Sequence, residues 1–130
     1  YKRQVERVAK NNGYDSFLMF NVYAQRATRP NDMERVCNEA LHRANMEAFD
    51  YILSLSEQPA VWAAWGNIIE QRAYLKDCLA DMIAIGERHG AQWYTAGRRS
   101  VKGHPHHPLY LKATSPLDAF DIRAYCAECL

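Results

Sequence analysis

Residues 102–111 read K-G-H-P-H-H-P-L-Y-L, with three histidines, two prolines and a glycine in ten positions. Proline fixes φ and removes a backbone donor, so the segment is a stiff turn entered through Lys102 and Gly103. A metal clamp is one use for it. Consecutive His106 and His107 point in different directions, however, and no Asp or Glu lies nearby, so neither a metal site nor a cofactor is expected. A single imidazole held rigidly over a ligand is the stronger expectation, because it could donate to a developing anion. The alternative is a surface turn anchored by Leu109, Tyr110 and Leu111.

Asn21 sits at the end of an apolar run, S-F-L-M-F-N-V-Y over 16–23. A buried amide left without partners costs about 1–3 kcal/mol, so it must brace the following loop or face a ligand with both a donor and an acceptor. The loop Y-A-Q-R-A-T-R-P over 23–30 follows. Arg26 and Arg29 there suit phosphate or carboxylate, or each pairs with a nearby acid; Thr28 lies between them. Trp65 and Gly66 end a second apolar run. Glycine there permits close approach by a ligand or a packing helix, and the tryptophan is core or a stacking platform.

These residues need elements to position them. Three short, continuous apolar runs at 16–23, 60–65 and 91–96 have the pattern of strands buried on both faces. Helical spacing separates them. Residues 1–12 place Val5, Val8 and Ala9 on one side, with Gly13 as a stop. Asp32 is expected to cap a helix striped by Met33, Val36, Cys37, Ala40, Leu41 and Ala44. A second helix over 45–56 buries Ala48, Ile52 and Leu55. A third lies between Trp65 and Gly90, with Ile68, Leu75, Cys78, Leu79, Met82 and Ile83 at helical spacing. The alternation predicts one α/β domain over 1–130: three layers, a small and mostly parallel sheet flanked by helices. In open α/β sheets ligands bind beyond the carboxyl ends of strands, which groups residues 21–28, Trp65 and Gly66, and the loop after Ala96.

Composition narrows the class. The 130 residues are 48% apolar, enough for a packed core, and the net charge is +1. No acid occurs from Ala91 to Ala113, where Arg98, Arg99, Lys102 and Lys112 are basic. Such a segment can attract an anion although the whole chain is nearly neutral. No leader and no apolar run of about 18 residues is visible, so a cytoplasmic protein with free thiols and no membrane partner is expected. Cys126 and Cys129 form a lone C-x-x-C without a second ligand pair, which favours a packed tail.

Three motifs together carry a resemblance: F-N-V-Y-A-Q-R-A-T-R-P over 20–30, V-W-A-A-W-G over 61–66, and the 102–112 segment. In this order and spacing they resemble the domain-of-unknown-function 1643 family of bacteria and phages, across residues 1–116. More loosely, the chain is similar to uracil-DNA glycosylases, with L-M-F-N ending at Asn21, A-W-G ending at Gly66, and H-P-L-Y-L beginning at His107. That likeness implies that Asn21 reads a pyrimidine edge and that His107 stabilises charge on a leaving base. Leu109 or Tyr110 would contact neighbouring nucleotides, and the base would be extruded from the stack. It also implies a central strand and a water-positioning motif upstream of Tyr1, which the chain lacks as it stands, and Leu109 and Tyr110 replace the serines of the family's H-P-S-P loop. The partner expected is a nucleobase, nucleotide or nucleic acid, with or without N-glycosidic cleavage. The alternative is a non-enzymatic interaction module using the basic segment. A metal-dependent hydrolase through His104, His106 and His107 is a third reading. Unpaired sheet edges make a homo-oligomer a further expectation.

Overall fold

The computed structural model describes residues 2–23, 35–108 and 111–130. The elements run α1 (Lys2–Asn11), α2 (Glu39–Ser54), β1 (Ala60–Trp62), a 3-10 turn (Gly66–Glu70), α3 (Ala73–Arg88), β2 (Gln92–Ala96), β3 (Leu117–Ala119) and α4 (Ile122–Cys129). Among the described residues the sheet has three strands in the order β1-β2-β3. β1 and β2 are parallel, pairing Val61 with Trp93; β2 and β3 are antiparallel, pairing Thr95 with Asp118. The sheet is therefore mixed rather than mostly parallel.

Alternation along the strands sends side chains to two faces. Trp62, Ala96 and Leu117 gather around Val8 of α1 on one face. Val61, Trp93 and Phe120 meet Leu75, Cys78, Leu79 and Ile83 of α3 and Ile122 and Tyr125 of α4 on the other. Helices thus cover both faces, as the sequence predicts. α2 packs on α3 through Met46, Phe49, Leu53 and Met82.

Several expectations need correction. Residues 16–23 form no strand: the backbone lacks regular pairing and the side chains of residues 16–19 are exposed. An apolar run is a strand only when another strand's N–H and C=O groups lie beside it, and none does among the described residues. The two helices expected over 33–56 are one helix, because nothing between Ala44 and Met46 breaks the backbone. Asn38 caps it, its side chain accepting from Leu41 N at 3.1 Å; the expected cap, Asp32, lies outside the described residues. The second strand stops at Trp62, and the helix expected after it begins only at Ala73. β3 and α4 were not anticipated. Asp121 caps α4, accepting from Ala124 N at 3.0 Å.

The cysteine pair of the tail lies on α4, packed against the main core, and none of the four cysteines is in a disulfide. Burial pushes the Cys78 thiol up to about 12 and raises that of Cys126. No helix of the described residues is long and apolar enough to cross a membrane.

Gly86 marks the closest fit in the core. A Cβ there would lie 2.5 Å from Cζ2 of Trp93. Glycine in a helix interior costs about 1 kcal/mol relative to alanine, and the indole uses the space that sacrifice opens. Gly86→Ala is expected to lower stability by roughly 1–2 kcal/mol despite its better helix propensity, since overpacking typically costs 1–3 kcal/mol. Urea denaturation measures it, and a gain in stability would contradict this packing.

Candidate functional site

The histidine segment is built on one buried imidazole. His104 is 1% exposed and Tyr125 is fully buried. His104 Nδ1 lies 2.7 Å from the Tyr125 hydroxyl, and His104 Nε2 lies 2.8 Å from Glu70 Oε1. Trp65 donates its indole N–H to the same hydroxyl at 2.9 Å. Proton directions follow from this chain. Indole can only donate, so Tyr125 accepts from Trp65; where Tyr125 gives its own proton to His104 Nδ1, Nε2–H of His104 donates to Glu70. Burial pushes the Tyr125 phenol up to about 12, which keeps its proton in place. The hydrogen bond from His104, helped by the Lys76 charge, holds the Glu70 carboxyl below its ordinary range. Lys76 Nζ is 3.5 Å from Glu70 Oε1.

This network sets the next contact. Gly66 N donates to Pro105 O at 2.9 Å. Gly66 has φ of +62°, and a Cβ on it would meet His107 Cβ at 3.4 Å and Pro105 O at 3.9 Å. A left-handed corner without a side chain is what allows the loop to seat there. The glycine expected to permit close approach is thus approached by the histidine loop itself.

A cleft of about 1070 Å³ opens beside this corner. Asn21, Trp65 and His107, three of the residues singled out by sequence, all line it. The segment at 16–23, the stretch from Pro59 to Trp62, and Phe49, Ile52 and Leu53 of α2 all contribute to its lining. The segment is pinned at two points. Phe20 packs edge-on against Phe49 with ring centroids 5.4 Å apart. Tyr23 packs against Tyr74, and its hydroxyl accepts from Asn38 N at 2.8 Å. The Asn21 carbonyl accepts from Asn45 Nδ2 at 2.9 Å, so its backbone is braced while the residue stays exposed. Phe17, Phe20, Trp62, Trp65 and Tyr94 give the lining an aromatic character, and among its described residues there is no Asp, Glu, Lys or Arg. His107 is half-buried; burial and then the neighbouring His106 push its imidazole below the ordinary value.

Other expected residues fall elsewhere. Lys102 is exposed and not part of the cleft lining; its carbonyl faces Cys129 Sγ at 3.9 Å. Arg26, Thr28, Arg29, Leu109 and Tyr110 lie outside the described residues. The three histidines diverge: His104 is engaged by Glu70 and Tyr125, and His106 Nδ1 donates to the His107 carbonyl. No group of three or more His, Cys, Asp or Glu able to hold a metal occurs among the described residues. Sequence reading missed Glu70 and Tyr125. Only the density of histidines in one turn hinted that one of them would need buried partners.

A family model described as "Protein of unknown function (DUF1643)" matches residues 2–109, most of the chain, and the chain belongs to that family. No curated protein and no solved structure matches it.

Two outcomes test the network. Tyr125→Phe leaves Trp65 Nε1 and His104 Nδ1 without their shared partner and is expected to cost roughly 1–3 kcal/mol in urea denaturation; an unchanged midpoint would remove the hydroxyl from the account. Glu70 has a folded pKa below its ordinary value of 4.5. Its contribution is therefore full above that value and disappears as pH falls through the folded pKa. The stability gap between the wild type and Glu70→Gln is expected to be constant near neutrality and to close below about pH 4.5.

Proposed function

We propose that this DUF1643 protein binds a nucleobase, free or as part of a nucleotide or nucleic acid, in the cleft that Asn21, Trp65 and His107 line. The observation that carries the reading is that these three residues, from far-apart parts of the chain, line one hollow. Its chemistry suits a planar, uncharged ligand. Aromatic walls offer stacking faces, worth about 1–3 kcal/mol per base. Among the described residues the lining has no cation to hold a phosphate; the base is the part of such a ligand that it suits. The Asn21 amide can match both a donor and an acceptor on a base edge.

The lowered pKa of His107 favours a neutral imidazole at pH 7. In that form it carries one N–H, which could stabilise negative charge on a leaving base. Cleavage of an N-glycosidic bond is the reaction this would serve: the base departs with the bonding electrons, and water adds to the sugar carbon. Water attack wants a general base, and no described residue of the lining is a carboxylate. Binding is therefore better supported than hydrolysis, and the uracil-DNA-glycosylase-like fold remains part of this proposal. The second reading is an interaction module that uses the exposed Arg98, Lys102 and Lys112.

Calorimetric titration with free bases, and with single- and double-stranded DNA at two salt concentrations, separates them. The expected result is base binding that changes little with salt and weakens about tenfold or more in Asn21→Ala and His107→Ala, the scale of one lost hydrogen-bonding group. DNA binding that falls steeply with salt and ignores both substitutions would assign the affinity to phosphate contacts and reject the base site. Base release from DNA by the wild type, lost in both variants, would extend the reading to catalysis.

A further inference from the structure

Charge is unevenly placed along this chain. The ten residues of α1, K-R-Q-V-E-R-V-A-K-N, hold four cations and one carboxylate, while the whole chain has a net charge of only +1. Val5, Val8 and Ala9 are the buried residues of the helix. At 3.6 residues per turn, Arg3, Arg7 and Lys10 fall within about 60° of one another on the side opposite them. All three are exposed. Glu6, the one acid of the helix, pairs with Lys10 at 3.1 Å, so the stripe keeps an excess of positive charge. The stripe continues beyond the helix. Asn11 Nδ2 donates to Ala113 O at 2.6 Å, and Asn12 Nδ2 donates to Ser115 O at 3.0 Å. Exposed Lys112, next to Ala113, is therefore held beside the end of α1 that carries Lys10. Leu111 packs with Val8 and Ala96, and a Cβ on Gly97 would lie 2.5 Å from its Cδ2. Arg98, one residue past Gly97, is exposed as well. Successive Cα atoms are about 3.8 Å apart, so Lys112 and Arg98 both start close to that contact.

We infer that Arg3, Arg7, Lys10, Lys112 and Arg98 form a track for the sugar–phosphate backbone of a nucleic acid. A basic amphipathic helix could instead lie on an anionic membrane, but that mode needs a free apolar face. In α1 that face is inside the core: Val8 is 0% exposed and Val5 5%. What a partner meets is a row of positive charge rising about 1.5 Å per residue, roughly 10 Å from Arg3 to Lys10. That matches about three nucleotide steps at about 3.4 Å each along one strand. Three of the five cations are arginines, whose planar fork suits phosphate oxygens. Such contacts position a strand and carry no sequence information. The track uses no residue named for the base site, so it does not depend on the cleft. It deepens the interaction-module reading, with which it shares Arg98 and Lys112, by adding α1 and naming the partner.

Fluorescence anisotropy of the full chain with labelled single- and double-stranded oligonucleotides, across a range of salt concentrations, tests this. The expected result is affinity that falls linearly with salt on logarithmic axes. Arg3→Gln and Arg7→Gln should each lower that slope by about 0.7–0.9, the share of one phosphate contact, and weaken binding severalfold at low salt. Arg43→Gln, at an exposed position of α2, should leave the slope unchanged. Circular dichroism spectra confirm that each variant is folded. No binding of either oligonucleotide at low salt overturns the inference. So does a slope that Arg3→Gln and Arg7→Gln leave intact, or that Arg43→Gln lowers equally, since the charge would then act through no particular surface. Phosphatidylserine vesicles or polyglutamate that bind as tightly, and are lost in the same two variants, would give the stripe to a membrane or an acidic protein and equally overturn it. Free bases are titrated separately, so a failure of the cleft reading does not carry this one with it.

Discussion

Both nitrogens of His104 are occupied, and the loop that carries His107 hangs from that fact. Glu70 comes from the 3-10 turn after the Gly66 corner, Tyr125 from the last helix, and Trp65 from the residue before the corner. One imidazole thus ties three separate pieces to the histidine segment. With its proton on Nε2, every group in the chain donates or accepts as its chemistry requires, and burial strengthens each link while making any gap costly. Pro105, the next residue, then presents its carbonyl to Gly66 N. Position in the cleft is inherited by His107 two residues further on.

The same residues explain why part of the site could be read from sequence and part could not. Gly66 was legible because a glycine after an apolar run signals a close approach, and its φ of +62° against the loop is that approach. β2 and the flanks of α1 and α3 were legible because their apolar residues keep a period that only one element can bury. Residues 16–23 have the composition of a strand, but composition supplies side chains and not the neighbouring backbone. Glu70 and Tyr125 are 34 and 21 residues from His104, and no local pattern joins them. β3 has three residues with Asp118 at its centre, too short and too polar to register as a strand.

The cleft combines two features that conflict. Its aromatic walls, and the absence of ionised side chains among the described lining residues, suit a flat, neutral ligand. The β1 edge, unpaired among the described residues, and the exposed Leu18 and Met19 are a liability of the kind that proteins normally cover. A lone base would fill a corner and leave most of the apolar surface wet.

The central claim is that Asn21 and His107 face one ligand. It is tested most directly by following their side-chain resonances in a nitrogen-15-labelled protein while a free pyrimidine base is added. The account predicts that the Asn21 amide and the His107 imidazole shift together along one saturation curve, with His104 unmoved. Shifts confined to one of the two, or to exposed arginines and lysines, would contradict it.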